Sequence, residues 1–216
     1  MSKDSTAVGP EHFAFIAART IQEDALLREL RIAAAAHGLP EIHIAPEQAA
    51  FLQLVLRAAH AVNVVEVGTL GGYSAIAMAR ALPEHGRVIT LEVEHRHAVF
   101  ARTWIERSDQ RGRIEVRLGD AKQTMAQLPT AAVDAVFLDA DKEGYVTYLQ
   151  HAMRILRPGG LLLADNVLAG GDVIDADSTD PTVRAIRAFH DAVARTPGLD
   201  AIIVPIGDGC LMGVKR

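Results

Sequence analysis

The stretch EVGTLGGYS (residues 66–74) decides the fold, because it joins a short β-branched strand to a helix through a glycine-rich turn. Val62–Val67 has the apolar pattern of a buried strand, and Gly72–Leu82 has helical spacing. Glycines in such a turn let the backbone approach a ligand closely, and the helix N–H groups then face that ligand. The spacing Gly68-x-x-Gly71-Gly72 is neither the dinucleotide fingerprint nor a phosphate loop. A tight turn with a purely structural role is the alternative interpretation.

The same alternation of strand and helix continues on the C-terminal side of this turn. Continuous apolar strands that alternate with helices are typical of a parallel sheet covered on both faces. We therefore predict an α/β fold with a doubly wound, mostly parallel sheet. The further strands are predicted at Arg87–Glu92, Ile114–Leu118, Val133–Asp139 and Gly160–Asp165, and the further helices at His95–Ser108, Ala121–Leu128, Gly144–Leu156 and Pro181–Arg195.

The last part of the chain interrupts this alternation. Ala201–Pro205 and Cys210–Lys215 have strand patterns, and only residues 206–209, Ile-Gly-Asp-Gly, separate them. So short a glycine-containing connection predicts a hairpin, which makes one terminal strand antiparallel. The prediction is thus a seven-stranded sheet with its last strand antiparallel.

Two helices are predicted before the sheet. Glu11–His37 carries apolar residues at helical intervals, and Pro46–His60 begins with a proline in its first turn. We predict that residues 1–45 form an N-terminal helical extension and that residues 46–216 form the main domain.

Composition excludes several classes of protein. The 216 residues carry a net charge of −5, whereas a nucleic-acid-binding domain usually has a basic face. No apolar run approaches the roughly 20 residues that span a bilayer. Cys210 is the only cysteine, which suits a reducing compartment. The expectation is a cytoplasmic protein that binds a small molecule and contacts neither nucleic acid nor membrane.

Acidic residues end the second and third predicted strands. Glu92 could accept hydrogen bonds from both ribose hydroxyls, and Asp120, with Ala121 after it, could meet an adenine amino group. No lysine or arginine stands where a pyrophosphate would lie, which favours S-adenosylmethionine over NAD. The alternative is that Glu92 and Asp120 are solvated caps at the ends of helices.

Oxygen ligands end the fourth and fifth predicted strands. Asp139 follows one strand, and Asp165 with Asn166 follows the next. The carboxyl ends of parallel strands meet at the ligand-binding edge of an open sheet, so these side chains converge. Hard oxygen donors suit Mg²⁺, with Ca²⁺ or Mn²⁺ also possible. The alternative is that both aspartates only cap the helices that follow them.

Taken together, these motifs resemble the cation-dependent, S-adenosylmethionine-dependent O-methyltransferases of the caffeoyl-CoA and catechol type. The resemblance covers the sequence from about Ile42 to the C-terminus, and its two most specific motifs are DADK (residues 139–142) and Asp165-Asn166. The other matching segments are residues 66–74, Tyr145, Tyr148, Pro158–Gly160, Pro46–Gln48 and Gly207–Gly209.

The resemblance implies a role for each matching residue. Asp139, Asp165 and Asn166 would hold the divalent metal, which makes Asp139 catalytic, and Lys142 would be the general base. The cofactor would be bound by the following residues: Glu66, Gly68, Tyr73 and Ser74 at the methionine half, Asp141 at its amino group, Glu92 at the ribose, and Asp120 with Ala121 at the adenine.

The resemblance also implies an activity, a substrate class and an oligomeric state. The expected reaction is methyl transfer to a hydroxyl of a small, vicinal dihydroxy-aromatic acceptor, by a homodimer. Two other functions stay open: a non-catalytic S-adenosylmethionine-binding protein, which would need no metal, and a nicotinamide-dependent oxidoreductase, which the glycine turn does not support.

Overall fold

Seven strands form one sheet in the computed structural model, which describes residues 8–216. They are β1 (Asn63–Val67), β2 (Arg87–Glu92), β3 (Ile114–Leu118), β4 (Val133–Leu138), β5 (Leu156–Ala164), β6 (Leu199–Val204) and β7 (Cys210–Lys215). Their order is β3-β2-β1-β4-β5-β7-β6, and β7 runs antiparallel to both of its neighbours. The predicted doubly wound sheet with an antiparallel last strand is confirmed.

Helices cover both faces of this sheet. They are α1 (Pro10–Ala17), α2 (Ala25–Ala36), α3 (Pro46–Ala58), α4 (Tyr73–Ala79), α5 (His95–Arg107), α6 (Ala121–Gln127), α7 (Tyr145–Ile155) and α8 (Pro181–Arg195). Buried side chains of α2 to α5 form the core on one face, and those of α6 to α8 form the core on the other. None of the helices within residues 8–216 is long and apolar enough to cross a membrane.

Strand β1 shows why the central strands are apolar throughout. Val64 contributes to one core and Val65 to the other, because successive side chains of a strand point to opposite faces. Glu66 therefore points to the same face as Val64, and the helices on that face leave it no access to solvent. Position 66 is thus a carboxylate placed where the pattern of the strand calls for an apolar residue.

The N-terminal helix predicted over Glu11–His37 is wrong in one respect, since the structure has two helices, α1 and α2. Asp24 ends the segment between them and caps α2, because its carboxylate accepts a hydrogen bond from the N–H of Leu27 at 2.9 Å. The neighbouring Glu23 is held by Arg31 through contacts of 2.7 and 2.9 Å. Residues 1–7 of the predicted extension lie outside the described residues.

The register of the strands places the candidate site. Parallel pairing aligns Val67 of β1 with Leu91 of β2 and with Leu138 of β4, and Leu138 with Ala164 of β5. The residues that follow these positions leave the sheet at the same edge. In open α/β sheets that edge binds ligands.

Candidate active site

A cavity of about 1200 Å³ lies at this edge. Single small-molecule sites usually measure about 300–1,000 Å³, so this cavity has room for two small molecules side by side. Of the site residues predicted from the sequence, all except Glu66 line it: Gly68, Tyr73, Ser74, Glu92, Asp120, Ala121, Asp139, Asp141, Lys142, Asp165 and Asn166.

Gly68 fixes the glycine turn against the end of β4. Its φ is +99°, and a Cβ at this position would lie 1.9 Å from the carbonyl oxygen of Asp139. No side chain can be accommodated there, so packing within the protein already requires glycine. The turn and Asp139 therefore form two adjoining walls of the cavity with no space between them.

Glu92 is fixed by backbone donors at the end of β2. One carboxylate oxygen accepts hydrogen bonds from the N–H groups of Leu70 at 2.8 Å and Thr69 at 3.3 Å, and the other accepts from the N–H of Glu94 at 2.9 Å. The side chain is only 7% exposed but lines the cavity. His97, which the sequence analysis gave no role, lines the same wall, with its Nδ1 3.8 Å from Glu92.

Asp120 lies directly before α6, and Asp141 lies between β4 and α7. Asp120 caps α6 by accepting a hydrogen bond from the N–H of Lys122 at 2.7 Å, and it also lines the cavity. The capping interpretation is thus correct for Asp120, and it does not exclude a ligand contact. Asp141 accepts a hydrogen bond from the hydroxyl of Tyr148 at 2.5 Å, which fixes its carboxylate at the cavity wall.

Glu66 does not line the cavity. It is fully buried, and neither carboxylate oxygen has a hydrogen-bond partner. Burial raises the pKa of Glu66 to about 8, although the nearby hydroxyls of Ser74 and Thr90 partly offset that rise. In the unfolded chain the carboxyl ionises near 4.5. The stability that neutral Glu66 contributes is therefore present below about pH 4.5 and is lost as the pH rises through about 8.

Replacing Glu66 with glutamine should remove this loss. For the ligand-free protein we expect Glu66→Gln to have a higher unfolding temperature than the wild type at pH 8, and a similar one at pH 5. Each kcal/mol corresponds to about 2–4 °C in a protein of this size. Thermal unfolding followed by circular dichroism measures the difference. Glu106→Gln, on the exposed face of α5, is the matched control. Equal pH dependence in Glu66→Gln and wild type would contradict the argument.

Asp139, Lys142, Asp165 and Asn166 meet at one end of the cavity. The ammonium nitrogen of Lys142 lies 2.8 Å from Oδ1 of Asn166 and 3.5 Å from Oδ1 of Asp139. It also donates a hydrogen bond to the hydroxyl of the fully buried Tyr145 at 2.7 Å, which fixes the end of the lysine side chain. The side chains that the sequence analysis placed at the ends of β4 and β5 are thus brought together around one amine.

This group of side chains carries more negative than positive charge. The pKa of Asp139 is raised to about 7: burial is the main cause, Lys142 opposes the rise, and the nearby Asp165 adds to it. Burial also raises the pKa of Asp165. The half-buried carboxylate of Asp139, the buried carboxylate of Asp165, an amide oxygen and a single amine leave a deficit of positive charge that a divalent cation would relieve. Within residues 8–216, no cluster of three or more His, Cys, Asp or Glu side chains is placed to hold a metal, so a cation here would also need the amide oxygen of Asn166.

Two further residues line this end of the cavity, and the sequence analysis assigned them no role. Gln48, only 2% exposed, donates a hydrogen bond from Nε2 to Oδ1 of Asp165. Asp208, in the connection between β6 and β7, accepts hydrogen bonds from the N–H of Gly170 at 2.9 and 3.0 Å. Both belong to segments that matched the resemblance, Pro46–Gln48 and Gly207–Gly209. That match was the only signal that could have found them.

The chain matches the O-methyltransferase family model over residues 17–216. It is 41% identical to the catechol O-methyltransferase of Niastella koreensis, over 90% of this chain and 87% of the relative. It is 38% identical to the catechol O-methyltransferase of Mycobacterium tuberculosis, over 94% of this chain and 92% of the relative. Among solved structures, the O-methyltransferase of Bacillus cereus in complex with SAH superposes with a TM-score of 0.87 at 38% identity, covering 94% of this chain and 96% of that one. The chain therefore belongs to the O-methyltransferase family, and the predicted resemblance is confirmed.

Proposed function

We propose that the protein transfers a methyl group from S-adenosylmethionine to one hydroxyl of a small, vicinal dihydroxy-aromatic acceptor, assisted by a divalent cation. The observation that carries the proposal is the amine of Lys142, held by Asp139 and Asn166 beside Asp165 at one end of a cavity large enough for a donor and an acceptor. The Bacillus cereus relative was solved with SAH, and two relatives are catechol O-methyltransferases, which supports the donor and the acceptor class.

The strand ends on the other side of the cavity would hold the donor. Glu92 is fixed by three backbone N–H groups, so its carboxylate can accept ribose hydroxyls without moving. Asp120 and Ala121 begin α6 and offer the adenine a carboxylate and a helix N-terminus. Asp141, fixed by Tyr148, would receive the amino group of the methionine half.

Asp139, Asp165 and Asn166 would hold the cation, with Mg²⁺ the first expectation. When bound, such a cation lowers the pKa of a coordinated hydroxyl and orients it. A phenol has a pKa of about 10, so without such help its hydroxyl is neutral at pH 7.

Lys142 is placed to take the proton of that hydroxyl. The nitrogen of Lys142 lies 2.7 Å from the hydroxyl of Tyr145 and 2.8 Å from Oδ1 of Asn166, and these two contacts orient it at the end of the cavity. In its deprotonated form this amine would offer a lone pair to the acceptor proton. The acceptor oxygen forms its bond to the methyl carbon, the carbon–sulfur bond breaks, and its electron pair stays on sulfur, which loses its positive charge. The walls of the cavity would hold the acceptor oxygen and the methyl carbon in line at about 3 Å.

The test is transfer of labelled methyl from S-adenosylmethionine to a panel of catechols, with Mg²⁺ and with EDTA. The panel includes caffeic acid, its thioesters and flavonoids with vicinal hydroxyls. We expect transfer that EDTA abolishes and Mg²⁺ restores. Transfer that continues in EDTA would support the methyltransferase activity and would show that no divalent cation is required. Binding of S-adenosylmethionine in calorimetry without transfer to any acceptor would favour the non-catalytic binding protein.

A further inference from the structure

Gln48 is a buried polar residue without a role in the reaction as described so far. It is the third residue of α3, is 2% exposed, and its amide donates to Oδ1 of Asp165, 117 residues away in the sequence. Buried amides are stable only when hydrogen-bonded, so this contact fixes the side chain as well as its partner.

The hydrogen bonds of Asp165 distinguish its two oxygens. Oδ1 accepts from Gln48 and also from the N–H of Asn166 at 2.7 Å. Oδ2 accepts no hydrogen bond from any side chain or backbone N–H in the described part of the chain. Because Asp165 lines the cavity and is only 3% exposed, Oδ2 is the oxygen available to a ligand there.

The connection between β6 and β7 confines Gln48 from the other side. Gly207 has a φ of +57°, and a Cβ at this position would lie 2.6 Å from Oε1 of Gln48 and 3.2 Å from its Cδ. The amide of Gln48 therefore packs between Gly207 and Asp165, and a side chain at position 207 would displace it.

We propose that Gln48 is a positioning residue, which engages Oδ1 of Asp165 so that Oδ2 alone is presented to the divalent cation. This inference rests on the proposed function, since it assumes that Asp165 is a cation ligand. It assigns to the start of α3 a part in setting the affinity for the cation, while the site of S-adenosylmethionine is left unchanged.

The test compares Gln48→Met with the wild type. Methionine keeps the length of the side chain but has no N–H to donate. Loss of a partner that orients a metal ligand typically costs about 10- to 100-fold in metal affinity. We expect a loss of that size in Mn²⁺ binding, measured by calorimetry without acceptor, and unchanged affinity for S-adenosylmethionine. Turnover should return toward the wild-type value at saturating Mn²⁺, which damage to the fold would not allow.

Gln53→Met is the matched control. Gln53 lies on the same helix and donates to the carbonyl oxygen of Ala77 at 3.0 Å, and it does not line the cavity. Gln53→Met should bind Mn²⁺ as the wild type does. If Gln48→Met does not fold, Gln48→Asn replaces it, since its shorter side chain cannot reach Asp165 and the same loss is expected.

The outcomes separate this inference from the proposed function. If the wild type binds Mn²⁺ and the Gln48 variants bind it equally well, the positioning role is overturned and the cation site stands. If the wild type itself binds no Mn²⁺, the cation site of the proposed function is wrong, and the role of Gln48 is overturned with it.

Discussion

Asp139→Ala should lower cation-dependent turnover by more than about 100-fold, because loss of a ligand costs more than the loss of an outer partner, itself worth about 10- to 100-fold. Affinity for Mn²⁺ should fall with turnover. Affinity for S-adenosylmethionine should stay close to the wild-type value, because the donor would be held by other side chains, Glu92, Asp120 and Asp141, each fixed by its own hydrogen bonds. Calorimetry with each ligand and turnover at several cation concentrations make the three measurements.

The fold should tolerate this change. Burial raises the pKa of Asp139 to about 7, so its charged form destabilises the folded protein at higher pH. Alanine removes that cost together with the 3.5 Å ion pair to Lys142, and we expect the unfolding temperature at pH 8 to stay close to that of the wild type. Asp200→Ala, which removes an exposed carboxylate on β6, is the control for loss of charge alone. Full EDTA-sensitive turnover in Asp139→Ala would show that Asp139 is not a ligand.

Lys142→Met should lower kcat at pH 7 by about 100- to 10,000-fold, the usual contribution of a general base, with a smaller effect on the KM of the acceptor. The loss should shrink as the pH approaches about 10, where a phenolic acceptor ionises without help. The profile of kcat against pH for wild type and variant is the measurement.

Lys142→Arg separates proton transfer from charge. Arginine keeps the positive charge beside Asp139 and Asn166 but stays protonated in proteins, so it cannot accept a proton. If Lys142 is the base, Lys142→Arg should be nearly as slow as Lys142→Met at pH 7. An arginine variant with wild-type kcat would mean that position 142 contributes charge only, and the assignment of the base would be wrong.

The sheet could be predicted from the sequence because its signals are local. Apolar runs such as Val133–Asp139 and the short connection at 206–209 each determine one element, and together they give the number of strands and the antiparallel last strand. The order of the strands in the sheet was not predicted and comes from the structure. The break between α1 and α2 was missed because apolar spacing continues across it. The aspartate that caps α2, Asp24, is the residue that marks where the second helix begins.

The residues of the candidate site that lie at the ends of strands could be predicted from the sequence. Those that reach the site through contacts between distant parts of the chain could not. Asp139 and Asp165 converge because they end neighbouring strands. Gln48 reaches Asp165 across 117 residues, and no local pattern announces such a contact. The resemblance assigned Glu66 to the cofactor. In the structure its side chain points into the core beside β1 and does not line the cavity. The homodimer and the domain boundary at residue 45 stay predictions.

The contact of Gly68 with the carbonyl oxygen of Asp139 has a consequence for redesign. The glycine turn that would hold the donor and the end of β4 that carries Asp139 meet there through main-chain atoms alone. The distance between them therefore does not depend on the side chains around them. An engineer who exchanges the rim of the cavity, for example Ile42–Ala45, would leave that spacing intact. Acceptor preference should therefore be changed by grafting rim segments, whereas even a methyl group at position 68 would collide with the carbonyl oxygen of Asp139 and force the two walls apart.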